Sequence, residues 1–296
     1  MPRMLMRATR HWLFGLLLVS LPTPPLLADD SGSLRYPRRA DGDEFRSVYA
    51  LAQLQLALDK AGSALRLEPS HYSMEQERAL VNLERNAHLD VAWSMTSVER
   101  EQRLLPVRIP LDKGLFGWRI ALLPKDRAQL LKDVHNLADL RQFSAGQGHD
   151  WPDSAILRSH GLPVKISSSY GSLFRMLQAQ RFDYFPRSVI EIWDELEHPR
   201  GRHLVADPHV LLHYPTALYF FFSRQRPDLA ETVRQGMEKA IADGSFEQLF
   251  QQHFAASLQR AQLEQRQVIE LRNPLLPRAT PLQRRELWFS PATLQR

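Results

Sequence analysis

LDVAWSMTSVEREQRLLPVRIPLDKGLFGWRIALLPKD, residues 89–126, decides how the chain is organised. Its first five residues, Leu89 to Trp93, are a short apolar run of the buried-strand type, and Trp118 to Leu123 is another, closed by Pro124. Upstream, Val48, Leu51, Leu54 and Leu58 recur at three and four residues, which predicts a helix from Phe45 to Lys60 that Gly62 stops. Leu65-Arg66-Leu67-Glu68 alternates like a strand, and Ser73 to Asn86 carries Met74, Leu80 and Leu83 at helical spacing. With the strand ending at Tyr36-Pro37, the order is βαβαβ, the pattern of a parallel sheet flanked by helices.

Downstream the order repeats. Leu140 to Ser144 predicts a strand ending in Ala145-Gly146-Gln147-Gly148, Asp153 to Ser159 a helix, and Val164 to Ile166 a strand. Ser172 to Gln180 predicts a helix and Phe182 to Phe185 a strand, whose ladder Pro186 ends for want of an N–H. Ala217 to Ser223 is strand-like. Pro227 opens a helix with Leu229, Val233, Met237 and Ile241 four apart until Gly244. The expectation is two small α/β lobes, residues 29–123 with 215–255, and an inserted lobe of residues 124–214. Residues 256–296 read as an arm folded across a lobe surface, with a strand at Val268 to Leu271 and an apolar end, Leu287-Trp288-Phe289.

Residues 1–28 place Arg3, Arg7 and Arg10 ahead of an apolar run from Trp12 to Leu21 and end at Ala28, the layout of a secretory signal peptide. The run is about half the roughly 20 residues a spanning helix needs. An exported, periplasmic protein is expected. Cysteine is absent, which excludes disulfides and a thiol for lipid attachment. Losing this segment removes three arginines and no acid, so the formal net charge falls from +5 to +2. So balanced a chain, with scattered bases, gives no footprint for nucleic acid. No cofactor or metal is expected. His209 and His213 stand four apart, but the apolar residues between them read as strand and no third ligand is near.

Residues 89–126 resemble the stretch of the extracellular solute-binding proteins of the amino-acid-transport type, family 3, in which an Asp followed by a T-P-E-R motif precedes a crossover strand. Tyr36-Pro37, Leu140 to Gly148 and Ile241 to Phe246 agree in order with the same family over roughly residues 33–255. The resemblance implies a type II periplasmic-binding-protein-like clamp with hinge crossings near Pro124 and Tyr214-Pro215. It also implies a monomer that closes on a small solute for an inner-membrane ABC-type permease or a sensor, without chemistry of its own. Ser97 and Val98 stand where the motif has Thr and Pro, so the chain resembles an atypical member of that family.

In open parallel sheets ligands bind beyond the carboxyl ends of strands, in loops that here carry Tyr36, Trp93, Ser97, Arg100, Gln147, His149, Trp151, Arg187 and Ser188. The resemblance assigns Arg100 to a ligand carboxylate, which its planar fork suits. The same resemblance puts Ser188 where amino-acid binders carry the acid that grips the ammonium group. Two arginines, Arg100 and Arg187, without that acid predict an anionic, carboxylate-bearing ligand, and Glu191 is the residue that could restore the missing charge. Two other readings stay open. One is a dehydratase-like enzyme on the same scaffold, with Arg100 and Arg187 orienting the substrate and Glu191 or His149 as general acid. The other is a clamp packed shut by Phe185, Trp93 and Trp151 that serves as an interaction module.

Overall fold

The computed structural model describes residues 32–39 and 47–290; residues 1–28, on which the signal-peptide expectation falls, and the acidic stretch 41–44 lie outside the described residues. Strand β1 (Ser33–Arg38) pairs in parallel with β2 (Arg66–Ser73) across helix α1 (Val48–Ala61). On the other side of β1, the N–H groups of Asp90 and Val91 reach the Arg35 carbonyl at 2.9 and 3.2 Å. Helix α2 (Gln76–Glu84) leads into β3 (Ala92–Met95), followed by α3 (Val98–Arg103) and β4 (Leu105–Val107). Both β3 and β4 are antiparallel to β10 (Leu218–Phe222). Helix α8 (Pro227–Ala242) lies along α1, and Leu54, Ala57 and Leu58 meet Val233, Met237 and Ala240 in one core. This is the β10 lobe.

The β5 lobe is built round a four-stranded sheet of order β11-β9-β5-β8. Strand β5 (Trp118–Pro124) is flanked antiparallel by β8 (Phe185–Ser188) and β9 (Leu204–His213), and β11 (Gln267–Glu270) joins β9 in parallel. Strands β6 (Ala145–Gly148) and β7 (Val164–Ser167) pair in parallel and touch the sheet through a bridge from Ala145 to Tyr184. Helices α4 (Leu137–Leu140), α5 (Pro152–Ser159), α6 (Tyr170–Gln178) and α7 (Ile192–Glu197) lie between these strands, and α9 (Ser245–Ala261) follows α8. The chain passes between the lobes at residues 108–117, again at 214–217, and a third time along α9, whose Phe246 joins the β10-lobe core and whose Phe250, Phe254 and Leu258 join the β5-lobe core.

The structure is the two-lobed α/β architecture expected, with four local differences. The sheets are mixed rather than wholly parallel, because the returning strands β9 and β10 run against β5 and β3. Trp118 to Leu123, expected in the first lobe, is hydrogen-bonded between β8 and β9. Leu140 to Ser144 is not a strand: the Asn136 side-chain oxygen accepts from the N–H of Ala138 and Asp139 at 2.8 and 3.2 Å, which starts α4, and extended structure begins at Ala145. Pro186 does not end the ladder with β5 but lies inside β8. Val189 donates its N–H to the Trp118 carbonyl, and alternate N–H groups of a strand point the same way, so the Pro186 nitrogen points away from β5 and toward β6, where pairing stops at the single bridge of Tyr184 with Ala145.

Candidate functional site

Strand β8 ends on a pair of buried charges. Arg187, 1% exposed, donates from Nε to both Glu195 oxygens at 2.9 Å and from Nη2 to Glu195 Oε1 at 2.7 Å. Glu191 Oε2 lies 3.0 Å from the same Nη2. The rings of Phe185, Trp151 and Tyr170 surround the guanidinium at 4.9, 5.1 and 5.8 Å, and the Tyr170 hydroxyl donates to Glu195 at 2.7 Å. Burial opposes the charge, but Glu191 and Glu195 outweigh it and hold the guanidinium's pKa well above its ordinary value. Both acids stand on or beside α7, four residues apart, which brings them to one face.

Arg119 repeats the arrangement on β5. It is equally buried, with Nη2 2.6 Å from Asp153 Oδ1 and Nη1 3.7 Å from Glu191 Oε2. The Phe116 ring lies 4.4 Å from it, and Tyr214 donates its hydroxyl to Asp153. Arg119 is matched by Asp153 and Arg187 by Glu195. Glu191 lies between the two guanidiniums, nearer to Arg187.

Two cavities share the wall that Glu191 forms with Gln76 and Phe116. The smaller, about 30 Å³, is lined by Arg119, Arg187, Asp153 and Trp151, and has room for little more than a water. The larger, about 320 Å³, lies between the lobes and α9. Its walls are the rings of Tyr49, Trp93, Phe116 and Phe254, with Arg39, Asp194 and His253 at its edge. Burial raises the Asp194 carboxyl above its ordinary pKa, and Glu197, Glu195 and Glu191 add to the effect.

Of the residues singled out in the sequence, the structure brings Trp93, Trp151, Arg187 and Glu191 to these cavities. Tyr36 stands behind Trp93, ring centroids 6.3 Å apart. Ser97 caps α3 by accepting the Arg100 N–H at 3.1 Å. Arg100, 3% exposed, spends its guanidinium on the chain itself: Ser94 Oγ at 2.6 Å, the Met95 carbonyl at 2.8 Å and the Asp150 carbonyl at 2.9 Å. Asp150 comes from the loop after β6, and its carboxylate also accepts the N–H of Glu77 in the first turn of α2 at 3.1 Å. The β5 lobe is thereby latched to the β10 lobe through one residue.

The other three point elsewhere. Ser188 donates to the Leu115 carbonyl at 3.0 Å, on the strand face opposite Arg187. The His149 side chain is 49% exposed. Gln147 is fully buried, and neither amide atom meets a partner among the described residues. Gly148 beside it cannot be replaced: a Cβ there would sit 2.5 Å from the Trp151 indole, which lies flat on the strand.

Sequence reading missed Arg119, Asp153, Asp194 and Glu195. A signal for the first was present, since an arginine inside the apolar strand WRIALL must be paired when buried.

No family model and no curated protein matches the chain. Solved structures do. An ancestral arginine-binding protein bound to arginine superposes with a TM-score of 0.56 at 14% identity, over 75% of this chain and 98% of that one. An amino acid ABC transporter substrate-binding protein from Streptococcus pneumoniae Canada MDR_19A, bound to L-arginine, gives 0.56 at 16% identity, over 76% and 94%. A histidine kinase sensor domain with similarity to periplasmic binding proteins gives 0.56 at 14% identity, over 75% and 94%. At such identities the likeness is one of architecture, and the chain has the two-lobed α/β fold of periplasmic amino-acid-binding proteins.

Proposed function

We propose that the protein is an exported solute-binding clamp that closes on a small amino-acid-like molecule for a permease or a sensor partner. The observation that carries this is the cavity of about 320 Å³ between the lobes, walled by rings and edged by charges of both signs. Arg39 stands at one edge and Glu191 with Asp194 at another. A zwitterion with an apolar or aromatic body suits that edge better than the simple anion expected from the sequence, because Arg187 and Arg119 already hold Glu195 and Asp153. Arg100, the expected carboxylate fork, takes the Asp150 carbonyl instead.

A calorimetric screen of the common amino acids against small mono- and dicarboxylates tests the reading. An amino acid or a close derivative binds, and Glu191→Gln weakens it by 2 to 5 kcal/mol, about 30-fold to several thousand-fold. Binding of simple carboxylates alone, or equal affinity in the variant, would sink it. The dehydratase-like reading draws support from Asp194, an acid at the cavity edge whose carboxyl is raised above its ordinary pKa by burial and by its acidic neighbours. Release of product from a carboxylated cyclohexadiene, lost in Asp194→Asn, would favour it over pure binding.

A further inference from the structure

We propose that residues 271–290 form a clasp over two of the inter-lobe connectors, residues 108–117 and 214–217, that limits how far the clamp opens. This segment begins on the β5 lobe. Strand β11 is hydrogen-bonded along β9, and the buried Leu271 continues it by donating to the His213 carbonyl at 2.8 Å. Four residues later the chain is fixed to the other lobe, where the Leu275 carbonyl accepts the N–H of Val98, the first residue of α3, at 3.0 Å. Four residue steps reach at most about 14 Å, so the two anchors cannot part freely. The turn in which the Asn273 side chain accepts the Leu275 N–H at 2.9 Å takes up slack.

The connectors themselves are held as well. Asn273 donates from Nδ2 to the Pro215 carbonyl at 3.0 Å, in the second crossing. At the far end Phe289 donates its N–H to the Lys113 carbonyl at 2.7 Å, and the Trp288 ring lies over Gly114, both in the first crossing. A Cβ on Gly114 would approach that ring to 2.6 Å, and the φ of +77° there is one that a side chain rarely tolerates. Between these points Leu287 is fully buried in the β10 lobe core, and Trp288 packs against the same core. Bending at either crossing must therefore break a hydrogen bond or pull a ring off its seat. A hinge so restrained keeps the closed form populated without ligand, which lowers the cost of closure but slows entry.

The clasp rests on the clamp reading only in that the lobes must move, and its test needs no ligand, so a failed ligand screen leaves it standing. The chain has no cysteine, so spin labels at Arg85→Cys and Ser168→Cys, exposed positions on the two lobes, report one distance. The parent protein gives one narrow distribution. Asn273→Ala with Trp288→Ala and Phe289→Pro, which removes the N–H to Lys113, raises a longer-distance population from below about a tenth to a large share. Should the triple variant fail to fold, Asn273→Ala with Phe289→Pro, which keeps Trp288 in its core, decides. A parent that already samples the long distances, or a folded variant with the parent's narrow distribution, overturns the proposal.

Discussion

At the scale of single residues, the buried ion pairs make the sharpest demands. Arg187→Met leaves Glu195, which is fully buried, without its cation, and about 3 to 5 kcal/mol of stability is lost in urea unfolding. Arg187→Met with Glu195→Leu recovers most of that; a double variant as weak as the single would mean that the hydroxyl of Tyr170 or the surrounding rings, not the charge, sets the cost. Asp112 behaves in the opposite sense. Its side chain is fully buried, and burial pushes the carboxyl up to about 7, although the N–H groups of Phe116 and Gly114 and the charge of Arg119 oppose this. The folded chain thus holds a proton that the unfolded chain releases near 3.8. The stability this contributes is present below that value and is lost as pH rises to about 7, on the order of 4 kcal/mol over the full span. Unfolding free energies of the parent and of Asp112→Asn from pH 4 to 8 should differ in slope, and parallel profiles would remove Asp112 as the cause.

At the scale of elements, the contact between α1 and α8 sets a limit that helix propensity would misjudge. An alanine at Gly236 gains up to about 1 kcal/mol of propensity. Its Cβ would overlap the backbone carbonyl of Ala57, and overpacking of that kind costs about 1 to 3 kcal/mol or more. Gly236→Ala should therefore melt lower than the parent; a higher melting temperature would show that the helices can part. These two helices were legible beforehand, because their apolar residues recur at three and four and nothing local competes. So were β5, β7, β10 and α5, whose signals are local. The extent of β8 was not, since whether Pro186 breaks a strand depends on which way its nitrogen faces, and the β5 partner fixes that. Nor was α4, where the side chain of Asn136 outweighed the apolar run that follows. The site was legible only in part. Trp93, Arg187 and Glu191 reach the cavities because strand ends deliver them there, while the partners of Arg187 and Arg119 come from helix faces that only tertiary packing sets.

At the scale of the molecule, Arg100 and Asp150 join the lobes in front as residues 271–290 join them behind. Arg100→Ala removes the donor to the Asp150 carbonyl, and one hydrogen bond to a charged group is worth about 1.5 to 3 kcal/mol. Hydrogen exchange at the amides of residues 149–151 should then quicken by about tenfold or more while β5 stays protected, on the arithmetic that 1.4 kcal/mol is tenfold. Unchanged exchange in that loop would mean that the Asp150 carboxylate on α2 suffices alone. Strand β11 also has a consequence for the chain in company. It covers the outer side of β9, where Val210, Leu211 and Leu212 would otherwise present an unpaired row of backbone groups on a ten-residue strand. A protease cut between α9 and β11 would uncover that row, and the freed edge could pair with the β11 of a second molecule or take up a synthetic peptide of residues 267–271, so nicked protein should form exchanged dimers that the peptide dissolves.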